Sequence, residues 1–95
     1  MNSWPIDIRN RIAQCFPEKS DIVVTKLDKI PPNLRDRPRI ARCILQLANG
    51  DFEKLDNLLI AACSDYRDVI WWAEYDHPLN PDTRLRNLGN PFETI

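Results

Sequence analysis

Residues 51–75, DFEKLDNLLIAACSDYRDVIWWAEY, decide the fold, because their apolar residues recur at the spacing of a helix. Such a stripe is typical of a long helix that lies on a hydrophobic core. Its inward positions are Leu55, Leu58, Leu59, Ala62, Tyr66, Val69, Ile70 and Ala73. At about 100° per residue, Ile60, Trp71 and Tyr75 point to the opposite side. This second apolar patch needs a cover of its own.

The composition describes an ordinary small globular domain. The chain has 95 residues, of which 43% are hydrophobic and 28% charged, with a net charge of −1. These proportions argue against global disorder, and so small a charge draws in neither nucleic acid nor an anionic membrane. No apolar run approaches the roughly 20 residues of a membrane span, and residues 1–5 lack the apolar segment of a secretory signal. We expect a cytoplasmic protein without membrane association.

Cysteine and histidine are too few and too scattered for a disulfide framework or a metal site. Cys15, Cys43 and Cys63 lie far apart without a CxxC pair, and His77 is the only histidine. We therefore expect no metal, no disulfide and a reducing compartment. The three cysteines are predicted to be small core residues, since free cysteine is among the most buried residue types.

Two shorter segments precede the long helix. The first is predicted to begin at a Ser3 cap, with Pro5 in its first turn, and to end before Pro17. The second covers residues 22–30 and has helical periodicity, whereas its Ile-Val-Val opening favours a short strand. Both interpretations of this segment are open from sequence.

The third helix is predicted from about Asp36 to Asn49. Its inward residues are Ile40, Ala41, Ile44, Leu45 and Ala48, and its outward residues include Arg35, Arg39, Arg42 and Gln46. Asn49 and Gly50 supply the left-handed conformation that ends a helix, and Asp51 caps the next one. So short a linker makes the third and fourth helices a tight αα-hairpin. The predicted fold is all-α, a small bundle of three to four helices on this hairpin, with one long C-terminal helix.

The composition changes after Tyr75. Residues 77–95 contain three prolines and show no sustained periodicity. We expect residues 1–76 to form a single helical domain. Residues 77–95 are predicted to be a tail that is partly docked or disordered.

The second apolar patch, with Arg67 beside it, is the main candidate for binding a partner. Ile60, Trp71 and Tyr75 supply the large apolar side chains that carry much of the energy at interfaces. The alternative is that the first helix or the tail packs on this face and completes an ordinary core. Trp72, near the edge of the main stripe, is predicted to be core.

A cluster of arginines forms the second candidate surface. Arg35, Arg37, Arg39 and Arg42 fall within eight residues and fit contacts with phosphates or an acidic partner. The alternative is a solvated face, because the acidic start of the long helix folds back beside them. A helix-turn-helix that reads DNA is disfavoured, because the helix after the turn opens with acidic residues.

Residues with the pattern of a catalytic or cofactor site are lacking. The carboxylates form no evident pair in an apolar pocket, and His77 lies in the predicted tail rather than beside a cysteine. We therefore predict a non-enzymatic module, without a cofactor, that binds another protein or itself. A nucleic-acid accessory protein that uses the arginine cluster is the alternative.

The chain also carries a resemblance. The run LANGD at residues 47–51, followed by DYRDVIWWAEY at residues 65–75, resembles a group of short uncharacterised bacterial proteins. Those proteins have a similar L-A-x-G-D turn and a D-Y-R-D-V-x-x-W-A-E-Y helix end. The likeness covers about residues 39–75. It implies a bacterial, cytoplasmic, helical protein and implies no activity.

Overall fold

The structure, a computed structural model, describes residues 4–31, 36–76, 80–89 and 92. Its elements in chain order are α1 (Ile6–Cys15), α2 (Ser20–Leu27), α3 (Arg37–Ala48), α4 (Phe52–Glu74), β1 (Tyr75–Asp76) and β2 (Asn80–Arg84). The two short strands pair antiparallel, with Tyr75 opposite Arg84. The predicted all-α class is confirmed, as a small bundle with a long C-terminal helix to which this short hairpin is attached.

The turn between α3 and α4 has the conformation that the sequence predicts. Asn49 and Gly50 have φ angles of 47° and 86°, so both lie in the left-handed region that ends a helix. The carboxylate of Asp51 then accepts a hydrogen bond of 3.1 Å from the Lys54 N–H, which caps α4. The predicted αα-hairpin is confirmed.

The core lies between the helices and contains most of the residues predicted to face inward. Val23, Leu27 and Ile30 are fully buried, and α2 spans most of the segment that carries them. The helical interpretation of residues 22–30 is therefore right and the strand interpretation is wrong. The other fully or nearly fully buried apolar side chains include Ile8, Ile12, Ile40, Ile44, Leu45, Leu55, Ala62, Val69 and Ala73.

The first helix begins two residues later than predicted. Ile6 is its first residue and Pro5 occupies the cap position, where the Pro5 carbonyl accepts hydrogen bonds from Ile8 and Arg9. Ser3, the predicted cap, lies outside the described residues. The helix ends at Cys15, two residues before Pro17, as proline cannot continue it.

The long helix is not straight. Asp65 has non-helical angles of φ −153° and ψ 99°, and its carboxylate accepts a hydrogen bond from the Arg67 backbone N–H at 3.1 Å. Aspartate in this role offers the backbone an alternative to the helical ladder, so Asp65 acts as a cap for the second part of α4. The inward face nevertheless continues beyond this residue, because Val69 and Ala73 are fully buried.

The predicted core assignments are wrong for Trp72 and for two of the three cysteines. Trp72 is 37% exposed, although its neighbour Ala73 is fully buried, so the edge of the stripe on which it lies is left partly uncovered. Cys63 is exposed and Cys15 half-buried, so only Cys43 of the three cysteines is a core residue. The residue type alone favoured burial, but Cys63 falls outside the apolar stripe of α4.

Within the described ranges, no helix has both the length and the apolar character needed to cross a membrane.

We expect Asp51→Ala to lower the free energy of unfolding by about 1 kcal/mol, the usual cost of losing a helix cap. Asp51→Asn keeps a side-chain oxygen for the Lys54 N–H and is expected to cost less. Urea unfolding of both variants measures this difference. Equal losses for the two variants would show that the cap does not stabilise the hairpin.

Candidate functional site

A groove with a mostly apolar lining lies between α2 and α4. Its first part, about 580 Å³, is lined by Lys26 of α2, by Lys29 just after that helix, and by Leu59, Ile60 and Cys63 of α4, among others. Its second part, about 320 Å³, lies around the kink of α4 and includes Pro31, Tyr66 and Arg67. Both parts are lined by Cys63 and Ser64, so they adjoin each other. We call the two parts together the α2–α4 groove.

Ile60 is the centre of this groove. It is 67% exposed, which makes it the most exposed large apolar side chain that the structure describes, while the adjacent Leu59 is only 8% exposed. An apolar side chain exposed to water is unfavourable, and a partner that covers Ile60 and packs against the buried Leu59 would remove it from water.

The rim of the groove is charged and mostly paired. Lys26 contacts Asp56 at 2.7 Å, and Arg67 contacts Asp65 at 3.1 Å. The hydrogen bonds from the Arg67 side chain and backbone lower the pKa of Asp65 below its ordinary value. Lys29 also lines the groove, so the rim carries three basic groups against two acidic ones. The groove therefore has a small positive excess.

The structure brings together two of the four predicted partner-binding residues. Ile60 and Arg67 line the α2–α4 groove, but Trp71 and Tyr75, both described, do not. Trp71 is 38% exposed, and Tyr75 is half-buried and begins β1. Trp71 and Tyr75 lie four and eight residues beyond Arg67, past the end of the groove. A role for all four residues in binding stays a prediction.

The predicted arginine surface is largely engaged within the chain. Arg37 donates to the Ile30 carbonyl at 2.9 Å, and its guanidinium lies over the Trp4 ring, 5.0 Å from its centroid. Arg39 contacts Glu74 at 2.7 Å. Arg35 lies outside the described residues. None of the three described arginines is therefore a freely solvated cation.

The prediction that Arg42 faces outward is wrong. Arg42 is only 5% exposed and makes an ion pair of 2.8 Å with Asp7 of α1. It also donates to the carbonyls of Leu88 and Gly89, each at 3.3 Å. A charged residue is buried when partners compensate its lost hydration, and these partners lie 35 to 47 residues away in sequence, where a helical wheel does not show them.

Glu74 is the residue that joins the largest number of elements. It is fully buried and accepts two hydrogen bonds of 2.7 Å from Arg39 of α3 and one of 2.6 Å from Arg84 of β2. The Leu88 N–H donates to the same carboxylate at 3.2 Å. Burial raises the pKa of Glu74, but the hydrogen bonds and charges of both arginines outweigh it and hold the pKa below its ordinary value. Glu74 is therefore ionised in the folded protein.

Cys43 and Asp7 complete this buried polar cluster, which we call the Glu74 network. Burial and the nearby Glu74 carboxylate raise the pKa of the Cys43 thiol to about 12, so the thiol stays protonated at neutral pH and is a poor nucleophile. Burial also raises the pKa of Asp7, but the Arg42 side chain and the Phe92 N–H outweigh this effect and lower it. The network contains carboxylates and a thiol, groups that also occur in catalytic sites. Here they are paired with other groups of the same chain, as in a cluster that stabilises the fold.

Sequence reasoning did not identify Glu74 or Asp7 as important. The available signal is indirect: Glu74 directly follows the inward-facing Ala73, and the arginines of α3 need acidic partners if they are buried. Among the described residues, no three His, Cys, Asp or Glu side chains are placed to hold a metal ion.

Comparison of the chain with protein-family models, with curated proteins and with solved structures gives no match.

We expect Glu74→Gln to lower the free energy of unfolding by about 3–5 kcal/mol, because it leaves Arg39 and Arg84 partly buried without a counter-charge. Asp56→Asn is the matched control: it removes a carboxylate from the more exposed pair with Lys26 and should cost less than about 1 kcal/mol. Urea unfolding monitored by circular dichroism measures both. Comparable losses for the two variants would contradict the stabilising role of the Glu74 network.

The network also predicts how stability depends on pH. Because Glu74 and Asp7 have lower pKa values in the folded protein than in the unfolded chain, the unfolded chain binds more protons between those values. Stability is therefore complete at neutral pH and falls as the pH drops below about 4.5. Urea midpoints between pH 3 and 7 should show this fall in the wild-type protein and a shallower one in Glu74→Gln. The same slope in both proteins would exclude Glu74 as its source.

Proposed function

We propose that this protein is a non-enzymatic interaction module that binds a helix of another protein chain in the α2–α4 groove. The observation that carries the proposal is the position of Ile60, which is 67% exposed in a groove with an apolar floor. Amphipathic helices bind such grooves by placing apolar side chains against the floor, and they do so through residues spaced three and four apart.

The charges of the groove define the partner further. Lys29 adds a basic group to a rim on which Lys26 and Arg67 already have acidic neighbours. The bound helix is therefore amphipathic and carries carboxylates beside its apolar face. Contacts of this kind favour the correct register and suppress wrong partners more than they add affinity.

The Glu74 network supports a binding role in preference to catalysis. Its carboxylates are ion-paired and Cys43 has a raised pKa, whereas a general base or nucleophile needs a pKa near the working pH. The same ion pairs occupy Arg39 and Arg42, which leaves the nucleic-acid alternative without an observation in its favour. We propose a protein that needs no cofactor and works in a bacterial cytoplasm, in line with the resemblance of residues 39–75.

The test is a comparison of tagged wild-type protein with Ile60→Asp and Ile22→Asp as baits in a nuclease-treated extract. Ile22 lies on α2, is 50% exposed and does not line the groove, so it is a matched control. We expect a protein bound in about equal amount to the bait that the wild-type and Ile22→Asp proteins retain and Ile60→Asp loses. Adding Trp71→Ala and Tyr75→Ala to the set measures whether the surface extends beyond the kink.

The control for this test is the fold of each bait. Circular dichroism and melting temperature should be the same for the variants and the wild-type protein, because Ile60 and Ile22 are exposed. The proposal would be contradicted by a partner that Ile60→Asp still binds. It would also be contradicted if nuclease treatment removed the partner from every bait.

A further inference from the structure

We infer that the helix bound in the α2–α4 groove is α4 of a second copy of this chain, so that two copies form a symmetric dimer. The inference rests on the proposed function and names its partner. It follows from the order of charges along the face of α4 that borders the groove.

The residues of α4 that line the groove include a series at heptad spacing, which Glu53 extends toward the start of the helix. Glu53, Asp56, Ile60, Cys63 and Arg67 lie at intervals of three and four residues, the spacing of a helix seam that packs on another helix. Glu53, Ile60 and Arg67 are exposed. The kink does not remove Arg67 from the groove, because Arg67 and Asp65 line it together with Cys63 and Ser64.

The charges of this seam complement themselves in one orientation. Glu53 and Arg67 each lie seven residues from Ile60, on opposite sides. In an antiparallel pair with a two-fold axis at Ile60, Glu53 of each copy faces Arg67 of the other. A parallel pair would place Glu53 against Glu53 and Arg67 against Arg67. The seam therefore selects a second copy and an antiparallel arrangement.

Arg67 is able to join this contact without breaking the one it has. Its Nε and Nη2 atoms donate to Asp65 at 3.1 and 3.2 Å, while its side chain is 77% exposed. A guanidinium has five N–H donors, so Asp65 orients Arg67 and leaves donors for the facing Glu53. At the axis, the two Ile60 side chains cover each other.

An interface built on one apolar contact and two ion pairs is small. Association is expected to be weak, with a dissociation constant in roughly the micromolar to millimolar range, and to weaken at high salt. It is therefore measured at high protein concentration, by sedimentation equilibrium of the full chain.

Charge reversal tests the arrangement. In a dimer of Glu53→Lys, the introduced lysine of each copy faces Arg67 of the other, and in a dimer of Arg67→Glu two glutamates face each other at both ends. In a one-to-one mixture the two variants form heterodimers, in which a basic residue faces an acidic residue at both ends. We expect each variant alone to dimerise roughly tenfold more weakly than the wild-type protein, and the mixture to recover association through these heterodimers.

The matched controls are Glu18→Lys and Arg9→Glu, which make the same charge changes at exposed positions away from the groove. These two should associate like the wild-type protein, alone and mixed. A wild-type chain that is monomeric at millimolar concentration, or a mixture of the groove variants that does not recover, would overturn the inference.

The outcome also separates this inference from the proposed function. A monomeric wild-type chain that still retains a different protein through Ile60 would reject the dimer and keep the groove as a binding surface. If Ile60→Asp and both charge reversals dimerise as strongly as the wild-type protein, the two-fold axis does not lie at Ile60.

Discussion

The buried carboxylate of Glu74 is the interaction on which the arrangement of this chain depends. It is fully enclosed, and its ionised form is stabilised by Arg39 from α3, Arg84 from β2 and the Leu88 N–H. Its backbone carbonyl accepts further hydrogen bonds from Leu85 and Arg86. One residue at the end of α4 therefore fixes the direction of the chain that follows against the helical hairpin. Removing the charge would leave Arg39 and Arg84, which are 27% and 41% exposed, without their shared counter-charge.

The buried ion pair between Arg42 and Asp7 connects further elements in the same way. Arg42 joins Asp7 of α1 to the carbonyls of Leu88 and Gly89, and the Phe92 N–H donates to Asp7 at 3.0 Å. The arginines of α3 thus hold the first helix and the last described residues together. Of the arginines that the sequence suggests as a basic surface, Arg42 is part of the core, and Arg37 and Arg39 are half-buried. With those arginines engaged, the α2–α4 groove is the described surface with the clearest character of a binding site.

The parts of the structure that depend on local chemistry could be predicted from the sequence. Asn49, Gly50 and Asp51 form the turn and cap that their types favour, and the inward faces of α2 and α3 follow from spacing alone. The burial of Arg42 could not be predicted, because its partners are brought together only by the fold. The kink at Asp65 could not be predicted either, since an isolated aspartate between helical residues gives no sign that its side chain will cap a new turn.

The rate at which the Cys63 thiol reacts with an alkylating reagent tests the central claim, that a protein covers the α2–α4 groove, most directly. Cys63 is exposed and lines the groove, whereas Cys15 is half-buried and does not line it, so Cys15 serves as an internal reference. Mass spectrometry gives the ratio of the two reaction rates for dilute purified protein and for the same protein at high concentration or in a native extract. A ratio that falls in either of the latter conditions is the expected result. A ratio that stays the same in all of them would contradict a binding role for this groove.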